Sequence, residues 1–173
     1  MYQDIILTCN CLIMLAGIFL ALKSFLADHE RRRKQATIEF THKIMLLRQP
    51  LLRQIEHIFK KDVINVSDSR YANDVDLQWS IRDFLSIMER MATGVNIGVY
   101  DLNVYTLITG TATINTYKML SPVIDYARHS DNNPNLYIQY ENLVGNIKLE
   151  KERIAKAKRA QKDEEMRHSP SHS

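Results

Sequence analysis

The chain has little of what staples small domains together. Its two cysteines, Cys9 and Cys11, stand two positions apart in 173 residues. They cannot bridge a core, and they lack zinc-ligand spacing and partners, which excludes a disulfide framework and suits a reducing compartment for the rest. Strand patterning is equally scarce: only Asp62–Val66 alternates, in one short and isolated stretch. Charge of one sign is not in excess either. The formal net charge of +3 is too small to imply a nucleic-acid partner.

Catalytic signatures are absent in the same way. The histidines (His29, His42, His57, His129, His168 and His172) are scattered, and none belongs to H-E-x-x-H, so no metal or cofactor is expected. No G-x-S-x-G occurs. Gly94 and Gly98 follow a helical pattern rather than a strand, and no G-K-[S/T] comes after them, which argues against a nucleotide loop. Arg53 and His57 have three residues between them, short of the spacing on one helix that a toxin-like helical ribonuclease would want.

What is present begins with an apolar run. From Ile5 to Leu22 there is no ionisable residue, and the apolar character continues past Lys23 to Ala27. A helix through Ala27 would be about 34 Å long at ~1.5 Å per residue, enough for a hydrocarbon layer of about 30 Å. A cleaved leader would need cations ahead of the run, and "MYQD" has none. A core helix would show an apolar stripe, whereas this run is apolar on all faces. The pattern predicts a membrane span. Lys23, Arg31, Arg32, Arg33 and Lys34 follow it, and the positive-inside rule places them in the cytoplasm, with the N-terminus outside. They are the candidate topology and lipid-contact residues, the lipid bilayer being the first expected partner.

The remainder reads as helical. Ile44, Leu47, Leu51, Ile55, Ile58 and Phe59 step by three and four, with Pro50 expected to kink the helix or start a new one. Lys60–Asp74 reads as a loop. A helix starting at Asn73 or Asp74 presents Val75, Trp79, Ile81, Phe84, Leu85, Met88, Met91, Ala92 and Val95, and Thr93–Asp101 ends it. Asp101 is the predicted N-cap of the next helix, which presents Leu102, Tyr105, Ile108, Ala112, Tyr117, Leu120, Ile124 and Ala127 inward. Gly110 and Pro122 should weaken it. After a turn at His129–Pro134, Asn133 should cap the last helix with Pro134 in its first turn. Beyond Ile147 the chain turns highly charged, an exposed helix at best, ending in a disordered "SPSHS".

The expected fold is all-α: an N-terminal transmembrane helix (1–27), a small cytoplasmic helical bundle (28–147), and a charged helical tail (148–173). Two long helices forming a stalk that pairs with a second chain is the competing architecture.

Three stretches, "RRRKQATIEF", "FLSIMERMATGVNIGVYD" and "NPNLYIQYENLV", resemble in this order and spacing a bacterial and prophage family catalogued as domain of unknown function four-seven-six-zero. The resemblance runs from about Ile5 to Val144. It implies one N-terminal span with a cytoplasmic helical domain, at the bacterial inner membrane, and hints at phage–host conflict. It implies no chemistry. Its most specific part is the motif of Glu89, Ala92, Gly94, Gly98, Tyr100 and Asp101, and Glu89, Gly94, Asn96, Gly98, Tyr100 and Asp101 make a candidate polar turn. Glu89 and Asp101 could bind a cation or act as general base in a membrane-tethered hydrolase. The plainer reading has Asp101 capping a helix and Glu89 solvated. With no catalytic constellation, the expected role is a membrane-anchored protein-interaction module with a protein partner. Self-association into a structural oligomer is the alternative, and no small-molecule substrate is identified.

Overall fold

The structure, a computed structural model, describes the backbone of residues 2–59 and 63–168 and the side chains from Leu12 onward, except those of residues 56, 165, 167 and 168. The side chains of Cys9 and Cys11, residues 60–62 of the expected loop and the terminal 169–173 lie outside what is described.

Five helices follow one another: α1 Tyr2–Phe59, α2 Ser69–Ala72, α3 Val75–Asn96, α4 Leu102–Ser130 and α5 Ile138–His168. No strand occurs among the described residues. Aspartates start three of the helices. Asp68 accepts the Arg70 N–H, Asp74 the Leu77 N–H and Asp101 the Val104 N–H, each at 2.9 Å. These bonds satisfy donors that a helix end leaves unpaired.

Pairings between the elements fix the directions of the helices. Asp101 at the start of α4 meets Thr37 of α1, and the Ile64 N–H just after α1 donates to the Met119 carbonyl. Thus α1 and α4 run the same way. Tyr140 packs edge-on against Tyr117, and Ile147 lies against Gly110, so α5 runs opposite to α4. α5 packs against both α3 and α4, and α1 closes against the same two helices. The core between them is built from Ile44, Ile55, Leu77, Ile81, Leu85, Met88, Met91, Leu120, Ile124, Tyr140, Leu143 and Ile147, all buried.

Four expectations need correction. Pro50 does not start a new helix; it lies inside α1, which continues as one helix to Phe59. Proline removes one N–H, but Leu46 and Pro50 face solvent, where water can serve the freed carbonyl, while Ile44, Leu51 and Ile55 hold both sides to the core. Val75 and Trp79 are exposed, and Leu77 is buried in their place. The last helix begins at Ile138, not at Pro134. Asn133 instead accepts the Asn135 N–H in a turn, and Tyr137, at φ 60, swings the chain into α5.

The fourth correction is the inner face of α4. Its first half buries Tyr105, Thr106, Thr109, Gly110, Thr113 and Thr116, while Leu107 and Ile108 are exposed. The helices approach closely here: a Cβ on Gly110 would lie 3.0 Å from Ile147 Cγ2. Threonine has the compact branched shape of valine, and its hydroxyl can return to its own helix, as Thr116 Oγ1 does to the Ala112 carbonyl at 2.8 Å.

The N-terminal part of α1 behaves differently. Every described side chain from Leu12 to Arg32 is exposed, and burial begins at Thr37. Ten large apolar side chains here, from Leu12 to Leu26, are 56–69% exposed. α1 is the one described helix long and apolar enough to cross a membrane.

Candidate functional site

The residues of the polar turn divide between two junctions. Glu89, on α3, faces the start of α5. Its Oε1 accepts the Gln139 N–H at 3.0 Å and its Oε2 the Tyr140 N–H at 2.8 Å. The residue before α5 is a tyrosine, which has no short side-chain acceptor, so the cap comes from another helix. Glu89 is therefore not merely solvated. Asn96 extends the same junction: its Nδ2 donates to the Gln139 carbonyl and Oε1, and its Oδ1 accepts from Asn146 Nδ2 at 3.1 Å. The amides border an open groove that Asn142, Gly145 and Glu152 also line.

Asp101 belongs to the second junction, between α1 and α4. One carboxylate oxygen caps α4 and the other receives Arg33 Nη2 at 2.9 Å. Its own N–H donates to Thr37 Oγ1 at 2.8 Å, and the Thr37 hydroxyl donates to the Arg33 carbonyl at 2.7 Å. Asp101 is 7% exposed, so the pair is well shielded on the acid's side. Tyr100 stacks on Phe40, with ring centroids 5.2 Å apart, and its ring occupies the space above Gly94, where a Cβ would lie 2.5 Å from it. Gly98, at φ 81, turns the chain between α3 and α4.

The cations after the apolar run differ among themselves. Arg33 reaches the domain. Arg32 pairs with Asp28 at 2.8 Å and Lys34 with Glu30 at 2.6 Å, both one turn away on α1. The latter bond raises the Lys34 pKa and lowers that of Glu30; both side chains are about half exposed, where such pairs are worth little. Arg31 and Lys23 are exposed.

Sequence reasoning missed a polar interior. Arg48, Tyr105, Thr109, Thr113 and Tyr140 surround a void of about 10 Å³, at the lower limit for one water molecule. Tyr105 Oη and Thr113 Oγ1 are 2.9 Å apart, and the Tyr140 hydroxyl donates to the Thr113 carbonyl at 3.3 Å. Burial pushes the Tyr105 hydroxyl up to about 12 and raises that of Tyr140 well above its usual value. The buried Nε of Arg48 and the hydroxyls of Thr41 and Thr106 have no protein partner. The sequence signal for this interior was the threonine spacing on α4, at positions 106, 109, 113 and 116.

Both oxygens of Glu89 and both of Asp101 are engaged in holding helices together. Among the described residues, no three His, Cys, Asp or Glu side chains converge as metal ligands would. The chemistry of these junctions is helix capping and ion pairing.

Residues 11–147 match the family described as "Domain of unknown function (DUF4760)", and the chain belongs to that family. No curated protein and no solved structure matches it.

Proposed function

We propose that this family member is a single-pass membrane protein that holds a helical protein-interaction domain at the cytoplasmic face of a bacterial inner membrane. The observation that carries the reading is the solvent exposure of α1 from Leu12 to Leu26. Ten large apolar side chains left in water would forgo about 1.5–3 kcal/mol each. That total, about 15–30 kcal/mol, reaches or exceeds the whole stability of a typical domain, about 5–15 kcal/mol. Lipid removes the cost, and the cations that follow orient the span with the domain inside. On this reading the parts are an anchor at 1–27, a domain at 28–147 and a charged tail at 148–173.

The engagement of Glu89 and Asp101 supports a scaffolding role for both rather than hydrolysis. A partner would meet the exposed Trp79 and Val75 near the start of α3; tryptophan is a frequent anchor of protein interfaces. The bacterial and prophage resemblance makes a component of phage–host conflict the partner to look for. Proximity labelling in the native cell tests this, comparing the full chain with one lacking residues 1–27 and with Trp79→Ala. The expected result is a membrane-associated partner whose labelling needs both the anchor and Trp79. Labelling of chaperones alone would contradict it.

A second reading, self-association along α1, is favoured by the exposure of Ile38, Leu46 and Leu47 on the cytoplasmic half of that helix. A monodisperse monomer in mild detergent would end it.

A further inference from the structure

The charged end of α5 is placed by the fold at the same end of the molecule as the apolar run. α5 runs opposite to α4, with Tyr140 beside Tyr117 and Ile147 beside Gly110. Continued along the helix, that register sets Lys156 about level with Asp101. Asp101 is bonded to Thr37 of α1, and α1 and α4 point the same way. At ~1.5 Å per residue, Lys162 then stands about level with Arg31, and the helix end near Ser24. Two basic stretches more than a hundred residues apart in sequence thus share one level, just below the apolar run.

They differ in how their charge is held. Arg32, Arg33 and Lys34 on α1 have carboxylate partners. On α5, Arg153 pairs with Glu150, but Lys156, Lys158, Arg159 and Lys162 are exposed and have no ion pair among the described residues. No acid interrupts positions 153–162, and the acids of this end, Asp163 and Glu164 among them, follow Lys162.

We propose that this basic segment of α5 is a second membrane contact, binding anionic lipid headgroups beside α1. The inference rests on the reading of α1 as a membrane span. If Ile5 enters the hydrocarbon, a layer of about 30 Å ends near Ser24. Headgroups of roughly 5–8 Å then bring their charge within about one Debye length, ~8 Å, of Lys162 and Arg159. Placement decides for lipid over nucleic acid, because the segment stands at the membrane end of the domain. On the same register Asp163 and Glu164 stand nearer the bilayer than Lys162 and oppose the contact, which makes it weak and salt-sensitive.

The test uses the full chain reconstituted in vesicles of phosphatidylcholine alone or with one third phosphatidylglycerol. Single fluorophores are placed through Ala160→Cys on the tail, Ala21→Cys in the apolar run and Ala72→Cys at the far end, with Cys9 and Cys11 changed to Ser. The expected result is quenching of the Ala160 probe by headgroup-labelled lipid that is at least about threefold stronger in anionic vesicles. High salt and the combined change of Lys156, Lys158, Arg159 and Lys162 to Gln should each abolish that difference, and the Ala72 probe should stay unquenched. Equal, weak quenching at Ala160 in both vesicles, with Ala21 fully quenched by acyl-chain-labelled lipid, overturns the tail contact and leaves the anchor standing. An unquenched Ala21 probe overturns the anchor reading and the inference with it. Salt-sensitive binding of the tail to a short DNA duplex with no lipid effect would also overturn it.

Discussion

The carboxylate of Glu89 on α3 receives the N–H groups of Gln139 and Tyr140, 50 and 51 residues away in sequence, so one helix caps another. This contact joins α3 to α5 beside Tyr137, which takes a left-handed backbone conformation. Removing the cap leaves two helix-end donors without a partner.

Glu89→Ala should therefore cost about 1–2 kcal/mol, the scale of a lost N-cap. It should lower the thermal midpoint by a few degrees and speed hydrogen exchange at Gln139 and Tyr140. Glu89→Gln, which keeps an acceptor oxygen, should cost less. Unchanged exchange at both amides in the alanine variant would contradict the assignment.

Asp101 combines two roles that substitution can separate. Asn is as good an N-cap as Asp, so Asp101→Asn should retain the start of α4 and lose the Arg33 ion pair. Asp101→Ala should lose both and be more destabilising by about 1 kcal/mol. Denaturant unfolding of the two variants gives the comparison, and equal loss in both would mean that the cap contributes nothing measurable.

Two glycines beside Tyr100 should respond for different reasons. At Gly94 a methyl group would meet the Tyr100 ring, so Gly94→Ala should displace that ring from Phe40 and cost about 1–3 kcal/mol, as overpacking does. At Gly98 there is open space, but φ is 81, so Gly98→Ala should cost about 1–2 kcal/mol of backbone strain. Ring-current shifts of Phe40 should change only in the first variant.

Tyr105 predicts a base transition. Its hydroxyl holds its proton up to about 12 in the folded protein, whereas an unfolded tyrosine ionises near 10. The folded state therefore binds the extra proton between these values. The corresponding stability is complete below about pH 10 and declines as pH rises towards 12, by an amount on the order of 2 kcal/mol. Tyr105→Phe should be less stable at neutral pH, through loss of the Thr113 bond, yet show a shallower decline across that window. Urea midpoints measured from pH 8 to 12 check both effects.

The sequence disclosed elements more readily than surfaces. Asp74 and Asp101 mark their helices because a short acid before an apolar period has one common use, and the apolar period of α3 from Ile81 to Val95 points inward as expected. The face of α4 was misjudged because hydropathy ranks Ile108 and Ala112 above threonine, and only the close approach of Ile147 to Gly110 favours small branched side chains there. Pro50 starts no new helix because residues on both sides of it hold α1 to the core. The cap from Glu89 was hidden because its partners are backbone groups far along the chain. The residues of the polar turn serve two junctions rather than one pocket, a division set by helix packing that spacing does not encode.

The account depends most on lipid being the surroundings of α1 from Leu12 to Leu26. The direct measurement is alkaline carbonate extraction of membranes from cells expressing the untagged chain. The account predicts that the protein stays in the membrane pellet and leaves it only with detergent, while a chain lacking residues 1–27 is released. Recovery of the full chain in the carbonate supernatant would contradict it.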